Sequence, residues 1–181
     1  QKTDICVKEL TETCIFNKVP SCVVENNLEQ SWLANLSMLN VCSQKGLSER
    51  FDSTIGRGTV LMPFGGKNQL TQTEGMVARL PVLKGITNAA SVMACGYNPE
   101  VACWSPFHGA MYAVVESVCR AVALGADPDK IHLTLQEYFP KLNNTETWGQ
   151  PFSALLGAFM AQDALEIAAI GGKDSMSGTF M

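Results

Sequence analysis

The stretch between Ser105 and Gly125 constrains the fold more than any other. Ser105 is a strong N-cap, Pro106 suits the first helical position, and Gly125 sits just past the far end. Between them Met111, Val114, Val115, Val118 and Val122 recur at helical spacing as one apolar stripe. A helix with a single apolar stripe needs a layer to bury it against, and its flanks supply one. Residues 87–95 are small and apolar and read as a buried strand, followed by a turn at Gly96-Tyr97-Asn98-Pro99. Beyond the helix, Ala126-Asp127-Pro128-Asp129 turns the chain into a strand at Ile131-His132-Leu133-Thr134-Leu135. Pro151 opens a second helix, with Phe152, Leu155, Leu156, Phe159 and Met160 as its buried side. The apolar run Ile167-Ala168-Ala169-Ile170 is the last strand. The order strand–helix–strand–helix–strand implies right-handed crossovers that lay the helices on one side of a sheet.

The first half adds strands of antiparallel or mixed character at residues 59–62 and 77–83, with Pro81 marking an edge or an end. Residues 65–75, polar and rich in glycine, read as a loop. Residues 28 to about 43 read as a packing helix, with Leu28, Trp32, Leu36 and Leu39 at helical spacing and Gly46 closing it. Ahead of it, Ile5, Val7, Leu10 and Val23-Val24 fit strand fragments or a connection, broken by Pro20 and Asn26-Asn27. The expected fold is α+β: a mixed β-sheet with helices packed on one face.

A chain of 181 residues suits one domain with an appended arm. A formal charge of −4 without any basic run argues against nucleic acid as a partner, and no apolar stretch approaches the roughly 18 residues needed to span a membrane. The seven cysteines form no CxxC pair, and only His108 and His132 stand by to complete a zinc site. Free thiols in a reducing cytoplasm are the better reading. The sequons at Asn35 and Asn143 carry no weight without other signs of secretion. The chain begins at Gln1 and stops at Met181 shortly after a glycine-rich stretch, which suggests an excised piece of a longer polypeptide.

That stretch is Gly171-Gly172-Lys173-Asp174-Ser175-Met176-Ser177-Gly178. A glycine pair directly after a strand lets the backbone turn and bring its N–H groups near a ligand. Lys173 adds a positive charge, Ser175 and Ser177 add hydroxyls, and Asp174 can accept a donor or help hold a metal. By residue type this is a phosphate cradle at the carboxyl end of a strand, where ligands of such sheets gather. The spacing is not that of a Walker loop, and a plain surface turn fits nearly as well. Glu116 and Arg120 lie one helical turn apart and can meet on one face, as a solvated ion pair or as ligands.

Three stretches together resemble one family. Glu49-Arg50-Phe51-Asp52-Ser53-Thr54-Ile55-Gly56, Trp104-Ser105-Pro106-Phe107-His108-Gly109-Ala110 with Ala113-Val114-Val115-Glu116-Ser117, and the Gly171–Gly178 string are similar, in order, to segments of phosphoribosylformylglycinamidine synthases. The resemblance runs from about Leu39 to the end. It implies an aminoimidazole-ribonucleotide-synthetase-like N-terminal subdomain from the second of two repeats at residues 46–181, with residues 1–45 as a connecting arm and helix from the preceding region. It also implies a reaction in purine biosynthesis. Formylglycinamide ribonucleotide, ATP and glutamine-derived ammonia give formylglycinamidine ribonucleotide, ADP and phosphate.

By the same resemblance, Gly171, Gly172, Lys173, Asp174 and Ser175 fall on the substrate- and nucleotide-contacting stretch, and Lys173 stands where shorter relatives carry a metal-binding Asn. Glu116 matches a Glu that holds Mg²⁺ at a second, structural nucleotide site. Arg120 and Lys84 occupy the positions of that site's Asn and Asp ligands. Two positive groups beside Glu116 would repel Mg²⁺ and could neutralise phosphate directly. The implied cofactors are ATP and Mg²⁺, and the implied partners are the remaining synthase and glutaminase domains. No catalytic residue is assigned to this chain: none of its cysteines is the glutaminase nucleophile, and His108 is structural. Alone, the chain is expected to be inactive and to form a homodimer through apolar strands. A half-repeat that binds nucleotide and pairs with a sister subdomain, without catalysing anything, is the other reading.

Overall fold

The computed structural model describes residues 4–7, 26–51 and 58–176. In chain order they form α1 (Leu28–Ser37), α2 (Lys45–Phe51), β1 (Phe64–Gly65), β2 (Thr71–Gln72), β3 (Gly75–Arg79), β4 (Ala90–Ala94), α3 (Pro99–Trp104), α4 (Pro106–Ala123), β5 (Leu133–Phe139), α5 (Thr145–Leu165) and β6 (Ala169–Met176). The class is α+β, with both antiparallel and parallel pairing. The strands are distributed over three two-stranded ladders: β1–β2 and β3–β4 antiparallel, β5–β6 parallel. Among the described residues no helix is long and apolar enough to cross a membrane.

The α4 helix forms where its local signals place it. Ser105 Oγ accepts from the His108 N–H at 3.3 Å, and Pro106 takes the first position. At the other end Gly125, at φ +98°, and Ala126 donate back to Val122 and Ala121, which closes the last turn. Of the apolar stripe, Val114 is buried and Met111 and Val118 pack on the core, while Val115 and Val122 face outward. That core is small: Val114, Leu133, Ala158, Ala161 and Ile167 meet between α4, α5 and the start of the parallel ladder.

Helix α5 departs from expectation in two ways. It starts at Thr145, and Pro151 lies inside it. Asn144 Oδ1 accepts from the Thr147 N–H at 2.8 Å, and Thr147 Oγ1 accepts from the Asn144 N–H at 3.2 Å, so a reciprocal cap fixes the start ahead of the proline. Its faces are also inverted. Gly149, Pro151, Ser153, Ala154, Gly157, Ala158 and Ala161 are buried, whereas Phe152, Leu155, Leu156, Phe159 and Met160 are exposed. The reason is close approach. A Cβ on Gly157 would run into the Phe107 backbone, and one on Gly149 into that of Cys6. Only small side chains allow that separation, so size and not polarity chose the inner face.

Other boundaries shift as well. Helix α1 ends at Ser37 with no buried residue, and Gly46 lies within α2 rather than closing the first helix. Residues 97–99 lead into α3, capped by Asn98, whose Oδ1 accepts from Glu100 and Val101. Residues 59–62 contribute one bridge, Thr59 with Ala78, instead of a strand. The expected loop at 65–75 holds the β1–β2 hairpin. The N-terminal fragments at Leu10 and Val23-Val24 lie outside the described residues, while Cys6 donates to the Thr145 carbonyl at 3.1 Å.

Candidate functional site

The glycine stretch is not a turn. Gly171 to Met176 continue β6, paired in parallel with β5: Thr134 with Gly171, Leu135 with Gly172, Gln136 with Lys173, Glu137 with Asp174, Tyr138 with Ser175. Gln162 positions the start of this strand, its Oε1 accepting from the Ala169 N–H at 3.0 Å. A register shift follows at once, because Leu133 pairs with Ala169 and Thr134 with Gly171, leaving Ile170 as an extra residue, 74% exposed. Glycine at 172 serves close approach, since a Cβ there would lie 2.6 Å from the Leu135 carbonyl oxygen. Gly171 has open space around it.

Strand alternation divides the stretch between two faces. Lys173 and Ser175 share a face with Gln136 and Tyr138, where Tyr138 Oη donates to Gln136 Oε1 at 2.7 Å. Asp174 lies on the opposite face beside Glu137. Strand geometry therefore puts an exposed ammonium and a half-buried hydroxyl on one face, with a pair of carboxylates behind. Ser177 and Gly178 lie outside the described residues.

The carboxylate pair has an electrostatic consequence. Partial burial, and then the neighbouring charge of Asp174, raise the Glu137 carboxyl above its ordinary value. The folded chain therefore holds this proton more tightly than the unfolded chain. The stability contributed by the neutral form is present in acid and is lost as pH rises through the raised value. Glu137→Gln is expected to raise the melting temperature at neutral pH and to leave it unchanged in acid below the ordinary carboxylate range. Melting curves of the two proteins across pH check this, and an equal gain at every pH would refute the electrostatic cause.

A second cluster forms where α4 meets the β3–β4 ladder. Arg120 Nε lies 2.8 Å from Glu74 Oε2, Arg120 Nη2 lies 2.8 Å from Glu116 Oε1, and Arg120 Nη1 donates to the Cys95 carbonyl at 2.7 Å. The other oxygen of Glu116 accepts from the Tyr97 N–H at 2.9 Å. Gly96, between these two backbone partners, sits against α4 so closely that a Cβ would lie 2.7 Å from the Ser117 nitrogen. Arg120 and Glu74 also border an open trough of about 1300 Å³ along Met76, Ala78 and Met93. The structure thus brings Glu116 and Arg120 together. Lys84 lies on the exposed connection between β3 and β4, and no described hydrogen bond or ion pair joins it, or the β6 stretch, to that cluster.

Ser105 Oγ lies 2.8 Å from His108 Nδ1, and the His108 ring packs against Trp104 and Phe107. Cys6, Cys42, Cys95, Cys103 and Cys119 are free thiols. Among the described residues, no three His, Cys, Asp or Glu side chains come together to hold a metal. Sequence reasoning found Glu116 and Arg120 through their helical spacing but missed Glu74 and the backbone groups of Cys95 and Tyr97. Nothing local marks these three, because the pairing of β3 with β4 delivers them.

No family model matches the chain. Curated proteins do. Phosphoribosylformylglycinamidine synthase subunit PurL of Picrophilus torridus is 27% identical over 124 residues, covering 68% of this chain and 16% of its own length. The protein of the same name from Methanosarcina mazei is 26% identical over 150 residues, covering 83% of this chain and 19% of its own. That of Leptospira biflexa is 30% identical over 113 residues, covering 62% and 13%. The chain therefore spans less than a fifth of the length of the relatives it matches. Over most of its own length, this chain is similar in sequence to a segment of phosphoribosylformylglycinamidine synthase subunit PurL.

Proposed function

We propose that the chain forms part of the synthase site of a phosphoribosylformylglycinamidine synthase in purine biosynthesis. The observation that carries this reading is the Gly171–Ser175 string, set on β6 with exposed Lys173 and half-buried Ser175 on one face. In the proposed reaction, ATP phosphorylates the formamide oxygen of formylglycinamide ribonucleotide. Ammonia released from glutamine then forms the new C–N bond as phosphate leaves, giving formylglycinamidine ribonucleotide and ADP. Mg²⁺, when bound, spreads the charge of the transferring phosphoryl group. The Lys173 ammonium neutralises phosphate oxygens as a point charge, and the Ser175 hydroxyl donates to one of them. The missing side chain at Gly171 leaves the backbone beside them open to the ligand. Asp174, on the other face, acts with Glu137 and not on the same phosphate.

Glutaminase and sister synthase domains supply the ammonia and the other wall of the site, so the chain alone turns nothing over. The setting is the cytoplasm. A second reading, a pairing module that binds nucleotide without catalysis, is favoured by the exposed Tyr138 and Ile170 on the ladder and predicts a homodimer. Calorimetric titration with ATP and with the ribonucleotide, with and without Mg²⁺, tests the site. Lys173→Ala is expected to weaken phosphate-bearing ligands by about tenfold or more, the worth of one charge-assisted contact. Unchanged affinity would remove β6 from the site. Sedimentation tests the pairing itself, since a clean monomer at high concentration counts against it.

A further inference from the structure

The resemblance implies a divalent ion held by Glu116, and the residues around Glu116 do not fit one. Both of its oxygens are engaged, one by Arg120 and one by the Tyr97 N–H. A Mg²⁺ ion needs near-octahedral oxygen ligation at about 2.0–2.1 Å, and here a guanidinium stands among the oxygens that would provide it. We propose that Arg120 is a built-in replacement for a cation at this junction, and that the junction consequently needs neither a divalent ion nor a nucleoside diphosphate to hold it.

The geometry supports the substitution in detail. Three nitrogens of one planar group reach three separate segments. Nε meets Glu74 just before β3, Nη1 meets the Cys95 carbonyl just after β4, and Nη2 meets Glu116 on α4. Gly75 and Ala94, next to the first two partners, are paired across the ladder. The guanidinium thus gathers the paired end of the hairpin onto the helix, as a shared metal would. A fork of fixed directions suits two carboxylates and a carbonyl, whereas a lysine ammonium would be a single point of charge. Two carboxylates converging without a cation would repel one another, so the positive charge is what lets the ends meet. Free Mg²⁺ has nothing to add while that charge is in place.

Thermal melting in EDTA and in millimolar Mg²⁺, with and without ADP, tests the proposal on the wild-type chain and on Arg120→Asn. The wild type is expected to melt at the same temperature in EDTA and in Mg²⁺, and any rise with ADP is expected to disappear in Lys173→Ala. Arg120→Asn is expected to melt lower in EDTA, by about 3 °C or more, and to recover most of the loss on adding Mg²⁺. In that variant an amide oxygen joins two carboxylates and a carbonyl as oxygen ligands. Two results would overturn the idea: a rise in the wild-type melting temperature with Mg²⁺ alone, or with Mg²⁺-ADP when Lys173→Ala does not abolish that rise, or a loss in the Arg120→Asn variant that no added cation restores. If Arg120→Asn does not fold, Arg120→Lys, which keeps the charge and loses the fork, is expected to melt below the wild type and to stay indifferent to Mg²⁺, and a rise with Mg²⁺ in that variant would overturn the idea. These measurements read stability and not turnover, so their outcome is separate from that of the β6 site.

Discussion

Gly157→Ala is expected to destabilise the chain by about 2 kcal/mol, although alanine is the better helix former. The helical preference of alanine over glycine is worth up to about 1 kcal/mol in favour of the variant. Against it stands the packing of α5 on the head of α4. The new methyl would lie 2.8 Å from the Phe107 carbonyl carbon and 3.0 Å from its Cα, with the carbonyl oxygen nearer still. These are backbone atoms, which cannot rotate away, so the helices must separate. Overpacking of this kind costs about 1–3 kcal/mol, and an immobile neighbour puts it at the upper end. Urea denaturation of the two proteins measures the difference. A variant as stable as the wild type would mean that α4 and α5 separate without cost.

Ala158→Leu and Phe159→Ala, at adjacent positions, should differ by several-fold in their effects, in the order opposite to what residue size suggests. Ala158 is 4% exposed and belongs to the core, whereas Phe159 is 64% exposed. Enlarging Ala158 forces extra methylenes between α5 and its neighbours and costs about 2–3 kcal/mol. Truncating Phe159 removes little buried area and should cost less than about 0.5 kcal/mol. Chemical denaturation at low protein concentration gives both values. A larger loss at Phe159 than at Ala158 would return the large residues of α5 to the inside.

That contrast also marks where sequence stopped informing structure. Helix α4 was legible because its cap, its proline and its closing glycine are all local, and because polar residues flank its apolar stripe. Helix α5 is apolar on nearly every side, so periodicity could identify it but could not say which side α4 approaches. Asn144 and Thr147 carried the true start in plain sight, but the signal from Pro151 was louder. The glycine pair at 171–172 was ambiguous for a similar reason. Glycine permits both a tight turn and the passage of a neighbouring backbone, and only the non-local pairing with Leu135 decides between them. In the site, Glu116 and Arg120 could be paired from helical geometry alone. Glu74 joins them through the register of an antiparallel ladder, which no local pattern encodes.

One residue between α3 and α4 has a mechanical consequence. Ser105 ends the first helix, donating its N–H to the Val101 carbonyl at 2.8 Å, and its hydroxyl starts the second. No free linker separates the two helices, so the corner has no slack. A push on the Asn98 end is carried as leverage into the α4 shaft, and through Arg120 to the hairpin at its side.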